Sequence, residues 1–453
     1  MLLSFQCNNF KSFQDGFTFN MVPERMTEIP YSILSEKAGK KEVRALSASV
    51  IYGPNAAGKT SIVNAMSCFR QIVAKGTIDD SEDDRSGDHV SANMSLIPFG
   101  FSAREQPTFF AIDFISRGTQ YHYELSFTLG KFLEKASDRT IQSEMLSINQ
   151  QLIFHRTAND VEVLSLKSIQ ERLNIGYDMA DTEKQRSIMG KNLSHTSLLL
   201  TTDFNSFCSK TIVSEIKDWF AKQFVVINSS DRRRFYPHML ENEGNALIDV
   251  YINQIAKEAG IIGSDFAYTV DPETHTPKLI SVLEKTEDRI GGIDSEVIES
   301  VGTMRLISIM PAILGALKHG AVLVMDELDA SLHPTIVMNL ITLFHNDEVN
   351  INHAQLIFNT HNPIYLNNKL LRRDEIKFVE RDKATKSSCL YALSDFKANG
   401  EASVRKTSDY MKNYFVNRYG AIENMDFTDI VMDMLSEKGD SCHGQKHERI
   451  SAI

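Results

Sequence analysis

The segment Gly53-Pro-Asn-Ala-Ala-Gly58-Lys59-Thr60 constrains this 453-residue chain more than any other. Apolar residues Ala48 to Tyr52 precede it, and a helix-like run, Ser61 to Ile72, follows. In the spacing G-x4-G-K-[ST], glycines let successive backbone N–H groups point into one concavity, and the helix N-terminus behind them adds the positive end of its dipole. Such a concavity cradles phosphates. Lys59 is expected to reach the β- and γ-phosphates of ATP and Thr60 to ligate Mg2+, with Gly53, Asn55, Gly58 and Ser61 completing the cradle. The chain must therefore contain a strand–loop–helix unit and an α/β core.

Length and a 42% hydrophobic content allow about two to four globular domains. No stretch approaches the roughly 18 uninterrupted apolar residues of a membrane span. The opening Met1-Leu-Leu-Ser-Phe-Gln lacks a basic leader and cleavage site, so a cytoplasmic protein without membrane contact is expected. Cys7, Cys68, Cys208, Cys389 and Cys442 lie far apart with no C-x-x-C pair, which argues against a disulfide framework or structural zinc. Net charge is −11 (48 minus 59), which excludes a chain-wide basic footprint for nucleic acid. The most compact basic run, Arg232-Arg233-Arg234, reads as a solvated loop or an ion-pair source.

Along the chain, Leu3 to Phe19 reads as two strands around Asn9-Phe10-Lys11-Ser12-Phe13, and Ala38 to Arg44 as a charged connector. The acidic run within Gly76 to Asn93 has the composition of a surface loop. Phe109 to Ile115 and Tyr121 to Leu129 alternate as an antiparallel hairpin with Gly118 near its turn. Ser165 to Phe224 turns helical and polar, with Val213 to Phe224 amphipathic. Asn245 to Gly260 and Thr303 to Leu317 are further helices, and Ala321 to Met325, Gln355 to Phe358 and Glu375 to Val379 are buried parallel strands. No heptad pattern persists, so a long coiled-coil arm is not expected.

Asp326 and Glu327 follow the Ala321 to Met325 strand, where α/β sheets place ligands. Asp326 suits Mg2+, and Glu327 suits the water that attacks the γ-phosphate. Three segments flank the pair in fixed order. Glu299-Ser300-Val301-Gly302-Thr303 opens a helix 26 residues before Asp326, counted from Ser300. Leu328-Asp329-Ala-Ser-Leu-His333-Pro334 follows directly, and Phe358-Asn-Thr-His361-Asn362-Pro363 ends the next strand.

This order resembles that of the ATP-binding-cassette (ABC) class: phosphate loop, signature, acidic strand, D-loop and switch histidine. The resemblance implies a P-loop NTPase of α/β class, an ABC-type ATPase head with an antiparallel β lobe and an inserted helical subdomain. The implied parts are 1–130 (first half of the head), 131–240 (mixed or helical insert), 241–370 (second half) and 371–453 (strands, a helix and a disordered tail). It also implies a homodimer or higher homo-oligomer sandwiching ATP, with Ser300 and Gly302 completing the γ-phosphate site in trans, Asp329 at the seam and His361 at the γ-phosphate.

Lys59 and Ser300 stand 241 residues apart (300 minus 59), about twice the transporter spacing, and there is no Leu-Ser-Gly-Gly-Gln string. With Asn9-Phe10-Lys11-Ser12-Phe13, this is similar to the branch of SMC-like and overcoming-lysogenization-defect ATPases. Within that branch, Glu299-Ser-x-Gly-Thr-x-Arg305-Leu306, Asp326-Glu-Leu-Asp-x-Ser-Leu-His-Pro334, Leu371 to Glu380 and Tyr414 to Ile422 resemble bacterial abortive-infection ATPases of the AbiLi and Septu PtuA kind. The chain departs from their pattern in carrying Asn362 where Asp is common, and Gln106 is a weak Q-loop candidate. The resemblance implies an anti-phage ATPase that senses DNA or a phage protein and controls a separate HNH or TOPRIM-type nuclease. The alternative is an SMC- or OLD-like DNA-processing ATPase. A built-in nuclease needs about 100 to 150 further residues, whereas 92 follow His361 (453 minus 361). Cys442, His443 and His447 read as part of a polar tail.

Overall fold

A computed structural model describes residues 1–25, 29–39, 41–79, 96–101, 105–129, 139–176, 179–228, 247–261, 263, 265–270, 277–285, 290–396, 404–405, 407–422 and 426–436. Most of the acidic run, the Arg232 to Arg234 triplet and the tail with Cys442, His443 and His447 lie outside the described residues. Residues Met1–Ala421 form one compact unit and Ile422–Ile453 a second, in which Thr428–Ser436 is helical.

Two sheets organise the larger unit. The first runs Val161–Leu164, Gln151–Thr157, Thr140–Ile148, Thr119–Thr128, Thr108–Ser116, Leu2–Asn8, Phe17–Asn20, antiparallel throughout. The second runs Phe224–Ile227, Val322–Met325, Gln355–Asn359, Ala48–Tyr52, Ile376–Arg381, Ser388–Ala392, parallel except for the last strand. A smaller three-stranded sheet joins Asp265–Val270, Pro277–Lys285 and Ile290–Asp294. The fold is that of an ABC-type P-loop ATPase head, as its motif order implies.

Strand alternation explains the layering. Ile51, Val324 and Ile357 face the helix Lys59–Lys75, which buries Ile62, Val63, Met66, Phe69, Ile72 and Val73 in the core it shares with the antiparallel sheet. Each such side chain contributes about 1.5–3 kcal/mol by leaving water. The other face of the parallel sheet receives the helices Val301–His319 and Pro334–His345. Among the described residues, Val301–His319 is the one helix long and apolar enough to cross a membrane; it packs against Val322–Met325 and the helix Val250–Glu258.

Three readings of the sequence change. Residues Ala38 to Arg44 are not a connector: Ile33–Ala38 and Lys41–Leu46 pair as a hairpin turning at Gly39. Within 131–240, the stretch 140–164 adds three strands to the antiparallel sheet. The amphipathic helix is Lys210–Asp218, capped by Ser209 and followed by a π-turn at Trp219–Gln223, while Phe224 opens the edge strand of the parallel sheet. Trp219 stacks on Phe114 with ring centroids 4.1 Å apart, tying this segment to the antiparallel sheet.

Buried polar groups tie the parts together. The Gln355 amide accepts from the Leu2 N–H (2.5 Å) and donates to the carbonyls of Leu2 (3.0 Å) and Leu46 (2.9 Å), stitching one sheet to the other. The fully buried Glu144 accepts from Leu199 N (2.7 Å), Leu200 N (2.9 Å) and the Tyr123 hydroxyl (2.9 Å), with Arg156 at 3.9 Å.

Candidate functional site

A cavity of about 450 Å3 opens at the C-terminal ends of the parallel strands, lined by the loop residues Asn55, Ala56, Gly58, Lys59, Thr60 and Ser61. Glu327, Asn359, His361, Lys11, Ser12 and Arg381 complete its wall. Its size lies within the usual range for small-ligand sites.

The loop takes its shape from backbone that few residues tolerate. Gly58 has φ +116°, and a Cβ there would lie 2.5 Å from Ser12 Oγ and 2.7 Å from Ser388 Oγ, so only glycine fits. Ser388 donates to the Ala57 carbonyl (2.6 Å), and its N–H donates to the Ser12 carbonyl (2.7 Å). Lys59 is buried and folds back, its Nζ donating to the carbonyls of Gly53 (2.7 Å) and Pro54 (2.9 Å). Burial pulls its pKa down to about 8, against the opposing pull of Asp326 and Glu327.

The carboxylates meet the loop directly. Thr60 Oγ1 donates to Asp326 Oδ1 (3.0 Å), and Asn359 Nδ2 bonds the same oxygen. The Glu327 N–H donates to Asn359 Oδ1 (2.5 Å), so one amide holds both acidic residues. Glu327 has φ +51°, a left-handed conformation unusual for a residue with a Cβ, which turns the chain sharply at the strand end. Lys59 Nζ lies 3.4 Å from His361 Nδ1. Burial, then the Lys59 charge, holds the His361 imidazole below its ordinary pKa. Thr360 donates to Asp329 Oδ2 (2.6 Å), and burial pushes the Asp329 carboxyl up.

Lys59, Thr60, Ser61, Asn55, Gly58, Glu327 and His361 therefore share one cavity, with Asp326 hydrogen-bonded at its floor. Gly53, Asp329, Ser300 and Gly302 do not line it. Gly53 sits behind the loop as the acceptor for Lys59. Ser300 is exposed and caps Val301–His319, accepting from Thr303 N (3.1 Å). Gly302 packs against the segment that follows Glu327: a Cβ there would lie 2.6 Å from the Ser331 carbonyl. Gln106 is exposed, and its carbonyl accepts from Asn9 Nδ2 (2.6 Å).

Lys11, Ser12, Asn359 and Arg381 are cavity residues to which the motifs gave no role. Asn359 stands two residues before His361 in a string already singled out, which was the available signal; Arg381 had none.

A hydroxyl and a carboxylate oxygen at bonding distance form a hard donor set that fits Mg2+, and Thr60 and Asp326 are the residues that would hold it. The loop amides and Lys59 fit a polyphosphate.

The profile of one protein family matches residues 48–190 and 200–367; its description reads "AAA domain, putative AbiEii toxin, Type IV TA system". The chain belongs to this family. The matched span of this AAA-domain family runs from the strand before the phosphate loop to beyond His361. No curated protein matches the sequence. Among solved structures, the chain is similar to an SmcHead bound to the C-winged helix domain of ScpA, at 13% identity, 87% of this chain, 97% of that chain and TM-score 0.38. It is also similar to an SMC head domain from Thermotoga maritima, at 14% identity, 86% of this chain, 98% of that chain and TM-score 0.36. A third is an Smc head domain with an extended coiled coil bound to the C-terminal domain of ScpA derived from Pyrococcus furiosus (12% identity, 87% and 96% coverage, TM-score 0.38).

Proposed function

We propose that this chain hydrolyses ATP and serves as the ATPase subunit of an anti-phage defence complex that governs a separate effector nuclease. The observation that carries the catalytic part is the convergence of Lys59, Thr60, Glu327 and His361 on one cavity, with Asp326 bonded to Thr60. Lys59 turns from the Gly53 and Pro54 carbonyls to grip the β- and γ-phosphates. Mg2+ held by Thr60 and Asp326 supplies neutralisation of phosphate charge. Glu327 accepts a proton from the attacking water, and His361, kept neutral by burial and by Lys59, hydrogen-bonds the γ-phosphate or that water.

Ser300 stands exposed at a helix N-terminus outside the cavity of its own chain, which supports its use by a second copy. Two copies then enclose ATP between cradle and signature, with Asp329 at the seam. The family's description, with its toxin and type IV toxin–antitoxin terms, supports a role in defence. The cytoplasmic setting, the DNA or phage-protein trigger and the HNH or TOPRIM-type effector belong to the same proposal, as do head halves at 1–130 and 241–370.

The test measures phosphate release by the purified chain with ATP and Mg2+. Wild type should turn over and Lys59→Ala should not; turnover retained in Lys59→Ala rejects the site. Glu327→Gln should bind ATP without hydrolysing it and accumulate a larger species, and an unchanged size distribution rejects the sandwich. Mixing Lys59→Ala with Ser300→Arg should restore part of the activity, because one of the two shared sites then carries neither defect. A fully active Ser300→Arg homomer contradicts action in trans.

A further inference from the structure

Beyond the phosphate cradle, we infer that Arg381 and Phe101 form a stacking platform for the nucleobase of the bound nucleotide. This rests on the nucleotide reading of the cavity and adds to it the part that recognises the base.

Arg381 ends the strand Ile376–Arg381 and lines the cavity beside Ala56, Lys11 and Ser12. Two of its in-plane donors face backbone carbonyls: Nε donates to Lys386 O (2.8 Å), and Nη1 reaches Ala56 O in the phosphate loop (3.5 Å). Two of its five N–H donors are thereby engaged, which fixes the plane of the guanidinium and the direction in which its flat face looks. Flat faces suit stacking on a heteroaromatic ring, whereas the fork suits phosphate. The Arg381 guanidinium carbon already lies 5.8 Å from the Phe101 ring centroid, and Phe101 is 65% exposed. A large aromatic ring in water with a guanidinium on it is an unfinished stack.

The opening motif builds this wall. Asn9 Oδ1 accepts from Phe99 N (3.2 Å), Asn9 Nδ2 donates to the Gln106 carbonyl, and Lys11 N donates to Ile97 O (2.9 Å). The Phe99 and Phe101 rings pack at 5.7 Å. Asn9 and Lys11 both hold positive φ, +48° and +49°, and Ser12 Oγ donates to Ser61 Oγ (3.2 Å). The Asn9 to Ser12 loop thus fixes the aromatic segment on one side and touches the phosphate-loop helix on the other. Lys59, Glu327 and His361 serve the triphosphate, and the platform serves the base.

The experiment compares ATP with inorganic tripolyphosphate, which carries the charge without the base, by calorimetric titration of wild type, Arg381→Ala, Arg381→Lys and Phe101→Ala. Circular dichroism checks folding; Phe101 is exposed enough for truncation to leave the core intact. Each variant should weaken ATP about tenfold, the scale of one lost base stack, and leave tripolyphosphate within about twofold. Arg381→Lys should behave like Arg381→Ala, because lysine keeps charge and loses the plane. Equal losses for ATP and tripolyphosphate would make Arg381 a phosphate clamp and overturn the platform, as would unchanged ATP affinity in the folded variants. Wild type that binds neither ligand removes the nucleotide reading itself.

Discussion

The Arg305 guanidinium donates to the main-chain carbonyl of Glu327 at 3.0 Å, joining the helix Val301–His319 to the strand end that carries the acidic pair. Glu327 needs this support because its backbone sits at φ +51°, a conformation that costs about 1–3 kcal/mol unless its surroundings hold it. Arg305 holds the carbonyl and Asn359 holds the N–H.

Arg305→Ala should therefore lower kcat about tenfold or more while KM for ATP changes less than threefold. The loss falls on the orientation of the base, not on the phosphate grip. Steady-state phosphate release gives both constants, and a rise in KM at constant kcat would place Arg305 in nucleotide binding instead.

Asn359→Leu removes the amide shared by Asp326 and Glu327 at nearly the same volume. Hydrolysis should drop about a hundredfold, the scale expected when a catalytic group loses its alignment. Nucleotide titration of the same variant should show affinity within a few-fold of wild type.

The sequence-legible parts of the site all sit on strand–loop–helix junctions, where one short string determines both conformation and chemistry. Lys59, Thr60, Asp326, Glu327 and His361 are of this kind. Arg381 was not legible because it reaches the cavity from a strand whose place beside Ala48–Tyr52 is set by the sheet order. The strand Phe224–Ile227 was hidden for a different reason: it continues the apolar spacing of Lys210–Asp218 without a breaker, so one period covers two elements. The strand Lys41–Leu46, which pairs with Ile33–Ala38, shows its charges more plainly than its alternation.

Gly302→Ala tests the contact between the start of the helix Val301–His319 and Ser331. A Cβ 2.6 Å from the Ser331 carbonyl forces backbone apart, and stability should fall by about 1–3 kcal/mol. Chemical denaturation reads the cost. Activity should fall further than stability explains at 25 °C, since Ser331 lies in the segment that follows Glu327.

Lys59 should make ATP binding depend on pH. In the free protein its pKa is lowered to about 8, chiefly by burial. A polyphosphate beside the ammonium raises it again, so above pH 8 the complex holds more protons than its separate parts. Binding then takes up protons, and affinity declines as pH rises from 8. Calorimetry at pH 8.5 in two buffers of different ionisation enthalpy should show the uptake in wild type and none in Lys59→Met; equal heats in both buffers for wild type contradict the assignment.

Glu144 anchors the antiparallel lobe. Glu144→Ala leaves Arg156 without its carboxylate and the Leu199 and Leu200 amides without an acceptor, at a cost of about 3–5 kcal/mol. Glu144→Gln keeps an acceptor oxygen and should cost less, about 1–3 kcal/mol. Thermal melts of the two variants should rank in that order.

The Gln355 amide grips Leu2 across 353 residues of chain. On the ribosome, Leu2 emerges long before Gln355, so this seam between the sheets stays open through most of synthesis. At about 5–20 residues per second, the delay is on the order of tens of seconds. The nascent antiparallel lobe must keep its edge from strangers for that time, and the two sheets can close on each other only once translation has passed Gln355.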